Sequence, residues 1–324
     1  MNFVPGLQLA RDFYEVLRPQ LAGIRHAAGR LDEGSEVIGF DTPMSTDHDW
    51  GPRRLQIFCD DPRAVQSLLA GNNDATLFVE TPRQFFTRYL GFDIQQELDA
   101  ADWLSISQQK LLTVTSGAIF QDDIGLRDIC SRFTYYPRDV WLFQLASVWT
   151  RIGQEEHLVA RAGHVGDEIG AKVIAARLVR DAMRLCFLMA RRYAPYPKWF
   201  GSAFGRLDAA AEFTPLLDEV LAAQGWENRD RALAKMYEAL ARHHNKLEIT
   251  KPLTENAAPF FGRPFSVIEL HGAFAETIRK QIADPVLRGL EPIGGIDIFS
   301  DSTDLTSHVV WREKVRALYD SNLS

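Results

Sequence analysis

No stretch of the chain strings together the eighteen or so apolar residues that a bilayer-spanning helix needs, so an integral membrane protein is not expected. The first residues, "MNFVPGLQLARDFYEVL", lack the basic start and long apolar core of a secretory signal. Cysteine is scarce: three residues, Cys59, Cys130 and Cys186, odd in number and far apart. That argues against a disulfide framework or a zinc cluster and fits a reducing compartment, so a cytoplasmic protein is expected. Positive charge is not in excess either. A net charge of −7 argues against a broad basic surface for duplex nucleic acid, though not against a local basic pocket. Internal repeats and low-complexity tracts are missing too. What remains is a 324-residue chain, 46% hydrophobic and 24% charged, of ordinary globular composition and long enough for two domains.

The hydrophobic period changes along the chain. Leu7, Ala10, Phe13, Leu17 and Leu21 recur at helical spacing and predict a helix over 5–26. "EVIGF", "RRLQIFCD", "ATLFVETP" and "GAIFQDD" are short, bounded by Gly, Asp or Pro, and read as strands. "RQFFTRYLG" and "ISQQKLLTVTSG" read as helices. After "YYPRD" strand signals stop, and helices are expected over 138–156, 167–192, 213–224 and 228–244. The expectation is an α+β protein: a mixed α/β domain over 1–130, a helical domain over 131–245, and a C-terminal extension over 246–324 packed on the helical domain and ending in a helix over 311–319.

One segment carries chemistry. Gly34-Ser35 stands upstream of Asp47-His48-Asp49. In a strand Asp47 and Asp49 would share a face, and two adjacent carboxylates repel unless a cation sits between them. Magnesium suits such oxygen ligands and leaves coordination sites for phosphate. Taken alone, the pair reads first as a surface turn, because Asp is common there. A glycine lets the backbone approach a ligand, and a serine hydroxyl with its N–H can hold a phosphate oxygen. Glu80, ending an apolar strand, offers a third carboxylate for a two-metal clamp, or simply a solvated strand end. Arg53 and Arg54 follow the pair and add little.

Gly-Ser, a spacer, Asp-x-Asp and a later acid are similar to the signature of the nucleotidyltransferase superfamily, the fold of DNA polymerase β and the antibiotic nucleotidyltransferases. More closely, "PGLQLARDFYEVLRP", "GSEVIGFDTPMSTDHDWGPR", "YYPRDVWLFQLASVWTRIGQEE", "ARLVRDAMRLCFLMARRYAPYPKWFGSAF" and "FSDSTD" resemble a bacterial family known as domain of unknown function 4037. The resemblance spans nearly the whole chain and implies a fold and a reaction class without a settled substrate. It departs at Glu36-Val37, where many superfamily members carry a small residue and an Arg. An acid beside a triphosphate is unfavourable unless it points away.

In the antibiotic-modifying relatives a helical domain supplies the acid that deprotonates the acceptor. Glu156, four residues past Ile152 on the stripe of Leu145 and Trp149, is the candidate here, against a helix-end Glu bridging to an Arg or to solvent. Arg177, Arg180, Arg184 and Arg191 share a helical face and would bind triphosphate or form ion pairs. Lys198, before Trp199, is carried over from the relatives as a nucleotide contact, with a snorkelling lysine as the plain alternative. Adjacent His243 and His244 diverge by about 100° on a helix and make a poor metal pair. Asp297, Asp301 and Asp304 read as turn and cap residues.

The resemblance thus implies a nucleotidyltransferase using two Mg²⁺ ions and an NTP, with ATP the expected nucleotide. Asp47, Asp49 and Glu80 would hold metal; Gly34, Ser35, Lys198, Arg177 and Arg184 would hold nucleotide; Glu156 would act as base. The acceptor would be a small molecule or a protein. Competing readings are a non-catalytic nucleotide sensor or partner protein on the same fold, and an antitoxin-like protein adenylyltransferase.

Overall fold

A computed structural model describes residues 3–47, 54–70 and 77–320 of the chain, with only the backbone described at Asp47. The protein is α+β: a four-stranded mixed sheet lies in the N-terminal part, and the C-terminal part is mainly helical. Two compact units divide it, one of Met1–Tyr135 with Ser302–Ala317 and one of Tyr136–Asp301 with Leu318–Ser324.

In the first unit, helix α1 (Gly6–Leu17) buries Ala10, Tyr14 and Leu17. It is shorter than the periodicity predicts, because the chain tightens into a 3-10 turn over Arg18–Leu21 containing Pro19, which has no N–H to extend an α-helix. Strand β1 (His26–Arg30) then begins where helix was expected. All five of its residues are buried, so it shows no alternation. Strands β2 (Leu55–Cys59), β3 (Leu77–Glu80) and β4 (Ala118–Asp122) coincide with predicted strands, and the order is β3-β2-β1-β4. β1 is antiparallel to β2 and β4; β2 and β3 are parallel. Gly29 lies at the β1–β4 bulge, where a Cβ would fall 2.5 Å from the Ala118 carbonyl oxygen.

Helix α2 (Pro62–Leu68) makes the β2–β3 crossover. Leu55, Ile57, Val65, Val79, Tyr14, Leu17 and Leu21 close the core between the sheet, α1 and α2. Helix α3 (Pro82–Leu90) opens on a capping box: the Thr81 hydroxyl accepts from Gln84 N–H while Gln84 Oε1 accepts from Thr81 N–H. Helices α4 (Ala100–Ser105), α5 (Gln108–Ser116) and α6 (Leu126–Ser131) complete the unit with the short helix Arg312–Arg316, whose Arg312 and Arg316 pair with Asp102.

"EVIGF" is not a strand. It folds as consecutive turns, with Val37 N–H on Gly34 O, Gly39 N–H on Glu36 O and Phe40 N–H on Ser35 O at 2.8 Å. Gly34 has φ +147°, a region that favours glycine.

The second unit is built on α7 (Arg138–Glu155), buried along most of its length. Around it come α8 (Leu158–His164), α9 (Glu168–Met189), α10 (Pro197–Phe204), α11 (Ala210–Ala222) and α12 (Trp226–Asn245). A small hairpin of β5 (Ala258–Pro259) and β6 (Ser266–Val267) comes next, then α13 (Ala273–Arg279), which packs on α7. Among the described residues no helix is long and apolar enough to cross a membrane.

Candidate functional site

The Gly34–Phe40 turn is held from below by one arginine. Arg30, the last residue of β1, is 1% exposed. Its Nη2 and Nε donate to Glu36 Oε1 at 3.0 and 3.2 Å, its Nη2 also donates to Glu33 O, and its Nη1 pairs with Asp32. Glu36 is 8% exposed, so the acid expected beside the triphosphate turns inward. Burial holds the Arg30 guanidinium below its usual range, against the upward pull of Glu36. Gln56, fully buried on β2, accepts from Leu31 N–H at 2.7 Å and donates to Asp32 Oδ2 at 3.3 Å. One network therefore joins the end of β1, the turn and the first residues of β2. Among the described residues nothing accepts from the N–H of Gly34 or of Glu36. Backbone N–H groups left without an acceptor are the kind of donor that can take an anion's oxygen.

Asp47 closes a 3-10 turn over Pro43–Asp47 instead of lying in a strand, and its side chain lies outside the described residues. So do Asp49, His48 and Arg53. The chain carrying them enters β2 at Leu55, and Gly29 pairs with Gln56. That entry is the end of the sheet where Arg30 leads into Gly34-Ser35. Glu80 is not brought there. It pairs with Phe58, three residues along β2 from Leu55, which is about 10 Å up the strand. The parallel β2–β3 crossover puts the end of β3 beside the end of β2, so Glu80 lies away from the Gly-Ser turn. Its carboxylate is bound by Arg88 Nη2 at 2.6 Å. Among the described residues no three His, Cys, Asp or Glu side chains are grouped as a metal site.

In the second unit Glu156 is 2% exposed and caps α7. Its Oε2 accepts from Ile268 N–H at 2.7 Å and its Oε1 from Glu269 N–H at 3.1 Å. Burial pushes its pKa up to about 8. Neither an Arg nor solvent holds it, as the sequence alternatives had it; its oxygens tie down the chain after the hairpin. Arg177 pairs with Glu155, Arg180 with Asp301 at 2.7 Å, and Arg184 with Asp181 at 3.0 Å and Asp301 at 3.7 Å. The arginine face is thus met by acids of its own unit. Arg191 lies over the Trp141 ring, 4.1 Å from its centroid. Lys198 is exposed on α10, its Nζ 5.1 Å from the Trp199 ring centroid. His244 is fully buried, and burial lowers its pKa to about 4.

Sequence reasoning missed Arg30, Asp32 and Gln56. The signal was present in "GRLDEGSE", where one arginine meets three acids around the Gly-Ser. It also missed Lys110, buried on α5, which donates to Tyr89 O at 2.6 Å and is lowered to about 8 by burial.

Residues 103–200 match the model of a family described as Domain of unknown function (DUF4037). The stretch takes in Glu156, Arg177, Arg184 and Lys198, while Gly34-Ser35 lies outside it. The chain is also similar to the crystal structure of a nucleotidyltransferase-like protein from Exiguobacterium sibiricum 255-15, at 14% identity, covering 78% of this chain and 82% of that one, with a TM-score of 0.37. Among curated proteins none matches.

Proposed function

We propose that the first unit binds a nucleoside triphosphate at the Gly34–Glu36 turn and transfers its nucleotidyl group to a hydroxyl acceptor. The observation that carries this reading is that, among the described residues, nothing accepts from the N–H groups of Gly34 and Glu36, on a turn at the sheet end where the Asp47- and Asp49-bearing chain enters β2. Backbone donors of this kind take phosphate oxygens without needing a cationic side chain. Asp47 and Asp49 supply hard oxygen donors of the type Mg²⁺ selects, and they would hold the metal. Bound there, the metal would neutralise triphosphate charge. In the reaction the acceptor oxygen attacks the α-phosphorus, the bond to the β-phosphate bridging oxygen breaks, and pyrophosphate departs with the acceptor proton passing to solvent. Glu80 is left out of the metal set because of its place on β3, and Glu156 is left out as base because its oxygens are taken by backbone N–H groups.

The test is incubation with each α-labelled NTP, Mg²⁺ and a metabolite or protein extract, following label transfer and pyrophosphate release. Label on a small molecule or a protein, lost in Asp47→Ala with Asp49→Ala, supports the reading and names the acceptor class. NTP binding without pyrophosphate from any extract makes the protein a nucleotide sensor. Transfer that survives the double substitution refutes the metal assignment.

A further inference from the structure

Glu36 raises a problem that the fold itself solves. A carboxylate directly after the Gly-Ser would repel a triphosphate, yet it is there, flanking Ser35, that the N–H groups of Gly34 and Glu36 find no acceptor among the described residues. We propose that Arg30 is a positioning residue: by drawing the Glu36 carboxylate under the turn, it neutralises that acid and sets the Gly34 and Glu36 N–H groups toward phosphate. This rests on the nucleotide reading above. Arg30 cannot itself meet the nucleotide, since it is 1% exposed and its donors go to Glu36, Asp32 and Glu33 O. Gly34 belongs to the same device. A Cβ at residue 34 would fall 2.4 Å from both Glu36 oxygens, so a side chain there would push the carboxylate out of its seat. The network extends through Asp32 to Gln56 on β2, so the turn is registered against the strand that the acid-bearing segment feeds. A planar fork that grips one carboxylate oxygen twice fixes orientation as well as charge.

The experiment titrates Mg·ATP calorimetrically into wild type, Glu36→Gln, Glu36→Ala, Gly34→Ala and a control, Val65→Ala, which opens a cavity in the same unit's core on α2. Circular dichroism identifies a temperature at which all are folded, and hydrogen exchange of the 37–40 amides reports the turn directly. Glu36→Gln keeps an acceptor for Arg30 and is expected to bind within about three-fold of wild type, because a neutral acceptor still seats the fork. Glu36→Ala and Gly34→Ala are expected to lose at least about ten-fold and to exchange faster at 37–40, since small misplacements are costly in binding sites. Val65→Ala is expected to keep wild-type affinity. Wild-type affinity in Glu36→Ala, or an equal loss in Val65→Ala, overturns the positioning role alone. A wild-type protein that binds no Mg·ATP overturns the nucleotide reading and this inference with it.

Discussion

Glu36 in the first unit and Glu156 in the second are both buried acids, and they are satisfied in opposite ways. Glu36 meets a buried guanidinium, as Asp102 meets Arg312 in the same unit. Among the described residues Glu156 and Glu269 meet only backbone N–H groups: Glu156 those of Ile268 and Glu269, and Glu269 those of Phe274 and Ala275 at 2.8 and 2.7 Å. Burial raises Glu156 to about 8 and Glu269 to about 7. The difference lies in the partner and not in the type of unit, because Asp181 among the helices sits between Arg151 and Arg184. An acid with a cation partner can be buried charged; one with only amides is driven toward its neutral form.

Breaking the first kind of arrangement should cost most. Arg30→Met leaves Glu36 and Asp32 buried without their cation and should destabilise the protein by about 3–5 kcal/mol in urea unfolding. The amide-only acids should show themselves through pH. Their folded pKa values lie above the ordinary carboxylate value of 4.5. Their contribution is therefore fully present below about 4.5 and is lost as pH rises through about 7 for Glu269 and about 8 for Glu156. Thermal unfolding from pH 5 to 9 should show stability declining across that window, and Glu156→Gln should flatten the decline. A smaller effect is expected at Gly153, where a Cβ would meet Glu269 Cγ at 2.8 Å. Gly153→Ala should cost about 1–3 kcal/mol by overpacking, read from the urea midpoint. Smallest of all, Arg177→Ala removes a pair in which the arginine is 48% exposed. It should change stability by less than about 1 kcal/mol. A larger loss would show that the arginine face does more than form surface pairs.

The legible parts of the fold were those with a period. β2, β3 and β4 and the long helices could be read from alternation, β-branched content and helical spacing. β1 could not, because "HAAGR" is buried on every residue and has no β-branched side chain. "EVIGF" looked like a strand by composition, yet the pull of Arg30 on Glu36 and the backbone of Gly34 bend it into turns. In the candidate site, the Gly-Ser was visible as a motif, and the same eight residues held the arginine that grips the Glu36 carboxylate. The place of Glu80 in the sheet was not legible for a topological reason. Its type and strand were evident, but only the parallel pairing of β3 with β2 decides which end of the sheet it occupies.

The central claim is that the Gly34–Glu36 turn binds the triphosphate. Hydrogen exchange of the wild-type protein with and without Mg·ATP tests it most directly. Slowed exchange concentrated on the amides of residues 34–36 is the predicted result. Protection elsewhere, with those amides unchanged at saturating nucleotide, would contradict it.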